Sequence, residues 1–334
     1  MYEFLGITLV LALLLTINAT ATMIAAGFGR LCKPLLRQCS ARTRAEILFV
    51  MRIGPPVIAL VAIAAFMIPS YVAYEPHVTE EFVSWKLGAL AAISAIGVGL
   101  ALWRGVCSWR ATRSLLKNWL AVSTQVEIEA ISVPTFVLQH SFPIIAVVGA
   151  IRPRLFIATQ VFESLSEEEL AAAIAHEYGH LAARDNFKRS VMRVSRAALL
   201  IIPCGRSLDR AWSEASESAA DEHAAQKSSL VALNLASALV RIARMIPKGQ
   251  RQVMPAAVSA FLSDDSPGVK VRVRRLVELA ASDPSLLVSN ASIVRFVPWL
   301  VLTLIVVVGV SIESRPQVLA GVHHFVEQVV AVLS

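Results

Sequence analysis

The chain has 334 residues, of which 56% are hydrophobic and only 16% charged, and its mean hydropathy is +0.64. That balance excludes an ordinary soluble enzyme. The formal net charge of +7 fits juxtamembrane basic residues facing anionic lipid, and no aromatic-interleaved basic groove or recognition module points to nucleic acid.

Four long apolar stretches carry the hydropathy. Residues 4–28 form the first, broken only by weakly polar side chains such as Thr16, Asn18 and Thr20. Ala19-Thr20-Ala21 resembles a cleavage site, but the residues before it include Glu3 and no base, the wrong start for a signal peptide. Basic residues come afterwards, at Arg30, Lys33, Arg37, Arg42, Arg44 and Arg52, which puts the N-terminus outside and this loop in the cytoplasm. Residues 53–74 form the second stretch, with Pro55-Pro56 near its start, where proline is best tolerated. The acidic connection with Glu75, Glu80 and Glu81 suits the outer face. Residues 87–103 follow, then Arg104, Arg110, Arg113 and Lys117. Residues 87–103 and 296–312 are near the lower limit for spanning about 30 Å of hydrocarbon. The expected layout is three membrane helices in residues 1–103, a cytoplasmic region over 104–295, and a fourth helix with a short extracytoplasmic tail in 296–334, in the inner (plasma) membrane.

Within the cytoplasmic region, residues 104–123 read as a basic helix. Residues 128–138 and 144–157 are rich in β-branched side chains and are broken by Pro134, Pro143, Gly149 and Pro153. They predict a small antiparallel sheet with a turn at Arg152-Pro153. Helices are predicted over 167–183, 207–226, 229–246 and 268–281, and residues 197–203 are apolar but too short to span. Cys32, Cys39, Cys107 and Cys204 all fall on the predicted cytoplasmic side, where thiols stay reduced. His77, His140, His323 and His324 lack partners at ligand spacing, and Arg272, Arg274 and Arg275 read as a solvated or lipid-facing helix face.

Residues 176–180 read His-Glu-Tyr-Gly-His. With 7 histidines in the chain, H-E-x-x-H arises by chance with a probability on the order of one in a hundred. Ser166 and Glu169 form a capping box that starts a helix before it. On that helix His176 and His180 lie one above the other and can reach one metal ion, with Glu177 beside it as a general base. Asp185 follows five residues after His180, either orienting that histidine or ending the helix. Such a site needs a third protein ligand and an open position. The best source is the segment holding Glu214, Glu217, Asp221, Glu222 and His223. Glu217 and Asp221 are again four apart, so one can bind metal while the other supports it. His223 is a rival ligand, or, with Tyr178 or an arginine, a donor to the oxyanion of a scissile carbonyl.

His176-Glu-Tyr-Gly-His180 followed by Glu217-x-x-x-Asp221 resembles the gluzincin pattern of integral-membrane metallopeptidases, shared by the BlaR/MecR type and by the HtpX and CAAX-prenyl protease group. Residues 148–157 are similar to the strand pair before the zinc helix in the BlaR/MecR family. Ser266-Pro267 and the basic run 271–276 resemble the proline-then-basic-helix segment of the HtpX group. The resemblance implies one Zn2+ per chain held by His176, His180 and Glu217, Glu177 as catalytic base, and Asp221 supporting the ligands. BlaR/MecR members usually carry cysteine before that aspartate, where this chain has Ala220. The expected fold is mainly α, an integral membrane protein of four transmembrane helices with a cytoplasmic α+β zincin-like domain around a small antiparallel sheet.

The expected reaction is zinc-dependent hydrolysis of a peptide bond in a cytoplasmic or juxtamembrane protein, such as a transcriptional repressor, in regulated proteolysis or signalling. An edge strand beside the zinc offers a place to pair an extended substrate. Residues 313–334 are too short for the penicillin-binding sensor of the BlaR/MecR proteins and carry no S-x-x-K motif, so a stand-alone peptidase triggered by a sensor partner, the tail, membrane state or self-association is expected. Two alternatives remain: an HtpX-like quality-control protease of membrane proteins, and a non-catalytic signalling subunit whose zinc is structural.

Overall fold

The computed structural model describes residues 2–76, 83–127, 133–198, 205–246, 258–260, 268–281, 296–312 and 315–333. Three helices are long and apolar enough to cross a membrane: α1 (Tyr2–Leu31), α3 (Ala41–Tyr74) and α4 (Trp85–Ala121), with the short α2 (Lys33–Gln38) between the first two. The bent pair α11 (Val297–Ile312) and α12 (Pro316–Leu333) makes up to a fourth span.

The second span begins earlier than the hydropathy implies. Ser40 caps α3, its Oγ accepting from the Thr43 N–H at 3.3 Å, so Pro55 and Pro56 lie inside the helix rather than near its start. A π turn at Ile63–Met67 precedes Pro69, which has no N–H to close an ordinary helical bond. The first turns of α3 bury Ala45, Leu48 and Phe49 against Met192, Leu208, Trp212 and Ala215. Helix α4 runs unbroken through residues 103 and 104, so the third span and the basic helix after it are one rod.

The sheet has the order β1-β2-β4-β3-β5, from Ser123–Val126, Thr135–Leu138, Arg154–Ala158, Ile145–Val148 and Val258–Ala260. It is mixed, which corrects the antiparallel expectation: β2 runs parallel to β4, with Phe136 opposite Phe156. The remaining pairs are antiparallel, and the turn between β3 and β4 spans the Arg152-Pro153 segment as expected. The physical reason lies in β4. Leu155, Phe156, Ile157 and Ala158 are all buried, so this strand takes a central place with both edges paired. Gly149 closes the turn at φ 109, where a Cβ would meet the Arg152 carbonyl oxygen at 2.7 Å.

Helices α5 (Thr159–Ser164), α6 (Glu167–Ala183), α7 (Asp185–Ala198), α8 (Gly205–Ala225), α9 (Ser229–Met245) and α10 (Val269–Ala281) complete the region. Ala173, Ala224, Leu235, Leu239, Ile242 and Leu276 pack with Phe156 and Ile157 into one core. Most of residues 197–203 lie outside the described residues. The tail helix α12 carries Val326 and Val330 against Leu5, Leu9 and Met67, and its Leu319 carbonyl accepts from Ser70 Oγ at 2.8 Å.

Candidate metal centre

The capping box is formed: Ser166 Oγ accepts from the Glu169 N–H, and Glu169 Oε2 accepts from the Ser166 N–H at 3.0 Å. From that start α6 runs five turns and buries His176, Glu177 and His180. Gly179 is the contact point with α8. A Cβ there would sit 2.9 Å from Ala220 Cα, so only glycine lets the two backbones come this close. The close approach sets Glu217, one turn before Asp221 on α8, opposite the two imidazoles.

His176, His180 and Glu217 each offer a ligand atom, all within 4.8 Å of one another and all buried. Glu217 Oε2 is 3.8 Å from His176 Nε2, and Glu217 Oε1 is 3.6 Å from His180 Nε2. The rings stand edge to face, 4.9 Å apart. Each histidine is held from behind: His180 Nδ1 is 2.7 Å from Asp185 Oδ2, and His176 Nδ1 is 2.9 Å from Asp221 Oδ1. This fixes which nitrogen faces inward, as carboxylates do behind ligand histidines. Ser216 Oγ donates to Asp185 Oδ2 at 2.7 Å and steadies it. Arg184 supplies the geometry, ending α6 in the left-handed conformation (φ 55) so that Asp185 turns back beneath His180.

Sequence reasoning missed Arg272 of α10, which reaches the same buried cluster. It is 2% exposed, not a solvated face, and donates from Nη2 to Asp221 Oδ1 at 2.7 Å and from Nε to Asp221 Oδ2 at 3.1 Å. Its Nη1 lies 3.1 Å from Glu217 Oε2. The signal was present: Arg272 falls three residues after Val269 and four before Leu276, on the stripe that packs into the core. Arg274 stays exposed beside Glu278, and Arg275 pairs with Glu222, which also accepts from the Ala41 N–H at 3.0 Å.

The charges follow from this packing. Burial pushes the Glu177 carboxyl up to about 8. Burial alone would lower His180, but the Asp185 hydrogen bond and the Glu217 and Asp185 charges raise it to about 9. Burial and the Arg272 guanidinium lower His176 to about 4 despite Asp221. Asp221 is held below the usual carboxylate range because Arg272 and His176 outweigh its burial.

Tyr178 and His223 are not brought to the ligand atoms. Tyr178 lies about half a turn around α6 from the His176–His180 face. It is 39% exposed and stacks on the half-buried His223 at 6.4 Å. His140 instead closes a turn, accepting from the Phe142 N–H at 3.0 Å, and His323 sits between Glu75 and Glu327. His77 lies outside the described residues.

Does the set fit zinc? His180 Nε2 and Glu217 Oε1 are buried with no hydrogen-bond partner among the described residues, and the ligand atoms of His176, His180 and Glu217 lie within 4.8 Å of one another. Two imidazole nitrogens and one carboxylate, with a general base adjacent, are a donor set that suits Zn2+ and leaves a position open. A buried three-donor cluster of this kind is the arrangement that a metallopeptidase needs. Residues 136–287, which hold α6, α8 and α10, match the model of peptidase family M48. No curated protein and no solved structure matches the chain. The family match supports a zinc metallopeptidase broadly and does not single out the BlaR/MecR branch.

Proposed function

We propose that this protein is a membrane-integrated zinc endopeptidase that cuts a cytoplasmic or juxtamembrane protein. The observation that carries this reading is the convergence of three buried ligand atoms beside Glu177, one of them on α8, which packs directly against α3. Zn2+ held by His176, His180 and Glu217 would supply a Lewis acid that polarises the peptide carbonyl and acidifies water. Glu177, whose ionised form a neighbouring cation favours, takes a proton from the attacking water and returns it to the leaving amine. Asp185 and Asp221 fix the two ring nitrogens that face the centre, and Arg272 locks the Glu217 and Asp221 carboxylates on α8.

The proposed topology has the N-terminus outside, the metal region in the cytoplasm and α12 on the outer side, supported by the basic residues after the first and third spans. Three ligands rather than four favour catalysis over a structural zinc. The edge of β3, the strand that packs on α6, is paired with β5 of the same chain, so a substrate strand adding there has to displace it. Regulated cleavage of a signalling protein, as in the BlaR/MecR type, is the role we assign. An HtpX-like quality-control role is the second reading, on the resemblance of Ser266-Pro267 and the basic run 271–276 to that group. Quantifying membrane and cytoplasmic proteins in cells with the wild type or Glu177→Gln separates them. One or two proteins persisting in the variant supports signalling; many misfolded membrane proteins persisting supports quality control; no difference contradicts both.

A further inference from the structure

Beside the metal centre the structure opens into a groove that the hydrolytic step does not use. One cavity, of about 440 Å³, is lined by His180 and Asp185, by Leu181 and Phe187, and by Ile151 and Pro153 of the β3–β4 turn. A second, of about 410 Å³, is lined by Trp109 and Leu116 of α4 and by Val194 of α7. Gly149, Ala150, Ile151 and Phe187 border both, so the two are successive chambers of one groove. The wall between β3 and α7 is fixed, because Asn186 Nδ2 donates to the Val147 carbonyl at 2.9 Å and to the Gly149 carbonyl at 3.3 Å. Gly149 lies just beyond Val148, the last β3 residue paired with β5, so β5 does not fill this end.

Large apolar side chains from three segments meet solvent around this one space. Ile151 is 86% exposed, Trp109 60% and Phe187 47%. Scattered exposed apolar residues are ordinary, but a contiguous set lining a concavity marks a binding surface. Its two ends say what it binds. One reaches His180 and Asp185 beside the end of β3, where an extended peptide brings its backbone close to the ligand cluster. The other reaches Arg104 and Gly105, the first residues beyond the apolar stretch 87–103, where α4 leaves the bilayer in the proposed topology. Charge narrows the occupant further. Asp185 is the one carboxylate among the described lining residues, and it is already held by His180 and Ser216. Arg104, Arg113 and Arg184 line the same groove, so basic side chains are disfavoured there.

We propose that this groove receives the membrane-proximal stretch of a protein substrate in extended form, its apolar side chains against Ile151, Phe187 and Trp109. The proposal rests on the peptidase reading and adds the substrate class: a juxtamembrane segment of apolar residues with neutral or acidic neighbours. Ile151 and Phe187, which border both chambers, are the residues that select it.

The test uses the full-length, zinc-loaded Glu177→Gln protein in phosphatidylcholine nanodiscs. The probe is a short peptide that alternates photoreactive leucine with serine behind a pair of aspartates. Its control keeps one photoreactive leucine and carries serine at the other leucine positions. Adducts are mapped by mass spectrometry across peptide concentrations. The apolar peptide should label the β3–β4 turn, α7 near Phe187 and α4 near Trp109, saturably, and the control only weakly. Adding Ile151→Ser/Phe187→Ser should raise the half-saturating concentration by roughly thirtyfold, the scale of two partly buried apolar contacts. Val277→Ser, at an exposed apolar residue of α10, should leave it unchanged. Zinc content equal to that of the parent shows that the double variant keeps its metal centre. Equal labelling by both peptides, adducts away from the groove, or an equal shift in Val277→Ser overturns the proposal. So does a photoreactive phosphatidylcholine that labels these residues and is not displaced by the peptide, which would mark a lipid groove. Binding is read here without hydrolysis. A groove labelled as expected in a protein whose wild type cuts nothing would count against the peptidase reading and not against the groove.

Discussion

Arg272 Nη1 lies 3.1 Å from Glu217 Oε2, the oxygen that is itself 3.8 Å from His176 Nε2. In the metal-free chain the guanidinium is thus the positive charge nearest the Glu217 carboxylate, and it holds Asp221 as well. Arg272→Gln removes one partner from a buried ionic cluster, a change that costs about 3–5 kcal/mol. The variant should unfold at a lower temperature than the wild type, and zinc should restore more of its stability than it adds to the wild type, because the metal replaces the missing charge. Thermal unfolding with and without zinc checks this.

The two carboxylates behind the histidines should matter separately from folding. Asp185→Asn and Asp221→Asn each loosen one imidazole, and such partners are worth about 10–100-fold in metal affinity. Competition with a chromogenic chelator should show that loss, while the helical content stays as in the wild type.

Gly179→Ala should damage the centre without touching a ligand. The added Cβ would lie 2.9 Å from Ala220 Cα, so α6 and α8 must part. Overpacking of this kind costs about 1–3 kcal/mol. Zinc affinity should fall too, since the separation carries Glu217 away from the histidines; both effects are read by unfolding and by chelator competition.

Zinc binding should depend on pH in a defined direction. His180 keeps its proton below about 9, and a metal ligand must give that proton up. Affinity should therefore rise with pH between 7 and 9, and calorimetry in buffers of different ionisation heat should show proton release at pH 7. Glu177 adds a stability effect with its own sign. Its folded pKa, raised to about 8 from 4.5, means that its burial costs nothing below the unfolded value and progressively more as pH rises towards 8. Metal-free Glu177→Gln should therefore be more stable than the wild type at pH 7, with the difference vanishing near pH 4.

Much of this centre was legible because its residues sit at helical spacing within single segments. His176 with His180, Glu217 with Asp221, and the Ser166–Glu169 cap each need only one helix to be right. What escaped depends on contacts between segments. Arg272 reaches the site from 51 residues beyond Asp221, and its basic neighbours Arg274 and Arg275 made it look like a solvated face. The parallel pairing of β2 with β4 depends on which strands the chain brings side by side, not on alternation within either one. Tyr178 and His223 looked useful by proximity in sequence, yet the helical turn carries Tyr178 to the far side of α6, against His223.

The central claim is an open zinc site in which Glu177 moves the proton. The most direct test is the rate of hydrolysis of a verified protein substrate by Glu177→Gln, with zinc content measured on the same sample. The account predicts one zinc per chain, as in the wild type, and hydrolysis reduced by at least about a hundredfold, the scale of general-base catalysis. Zinc-loaded Glu177→Gln that cuts at the wild-type rate would contradict it.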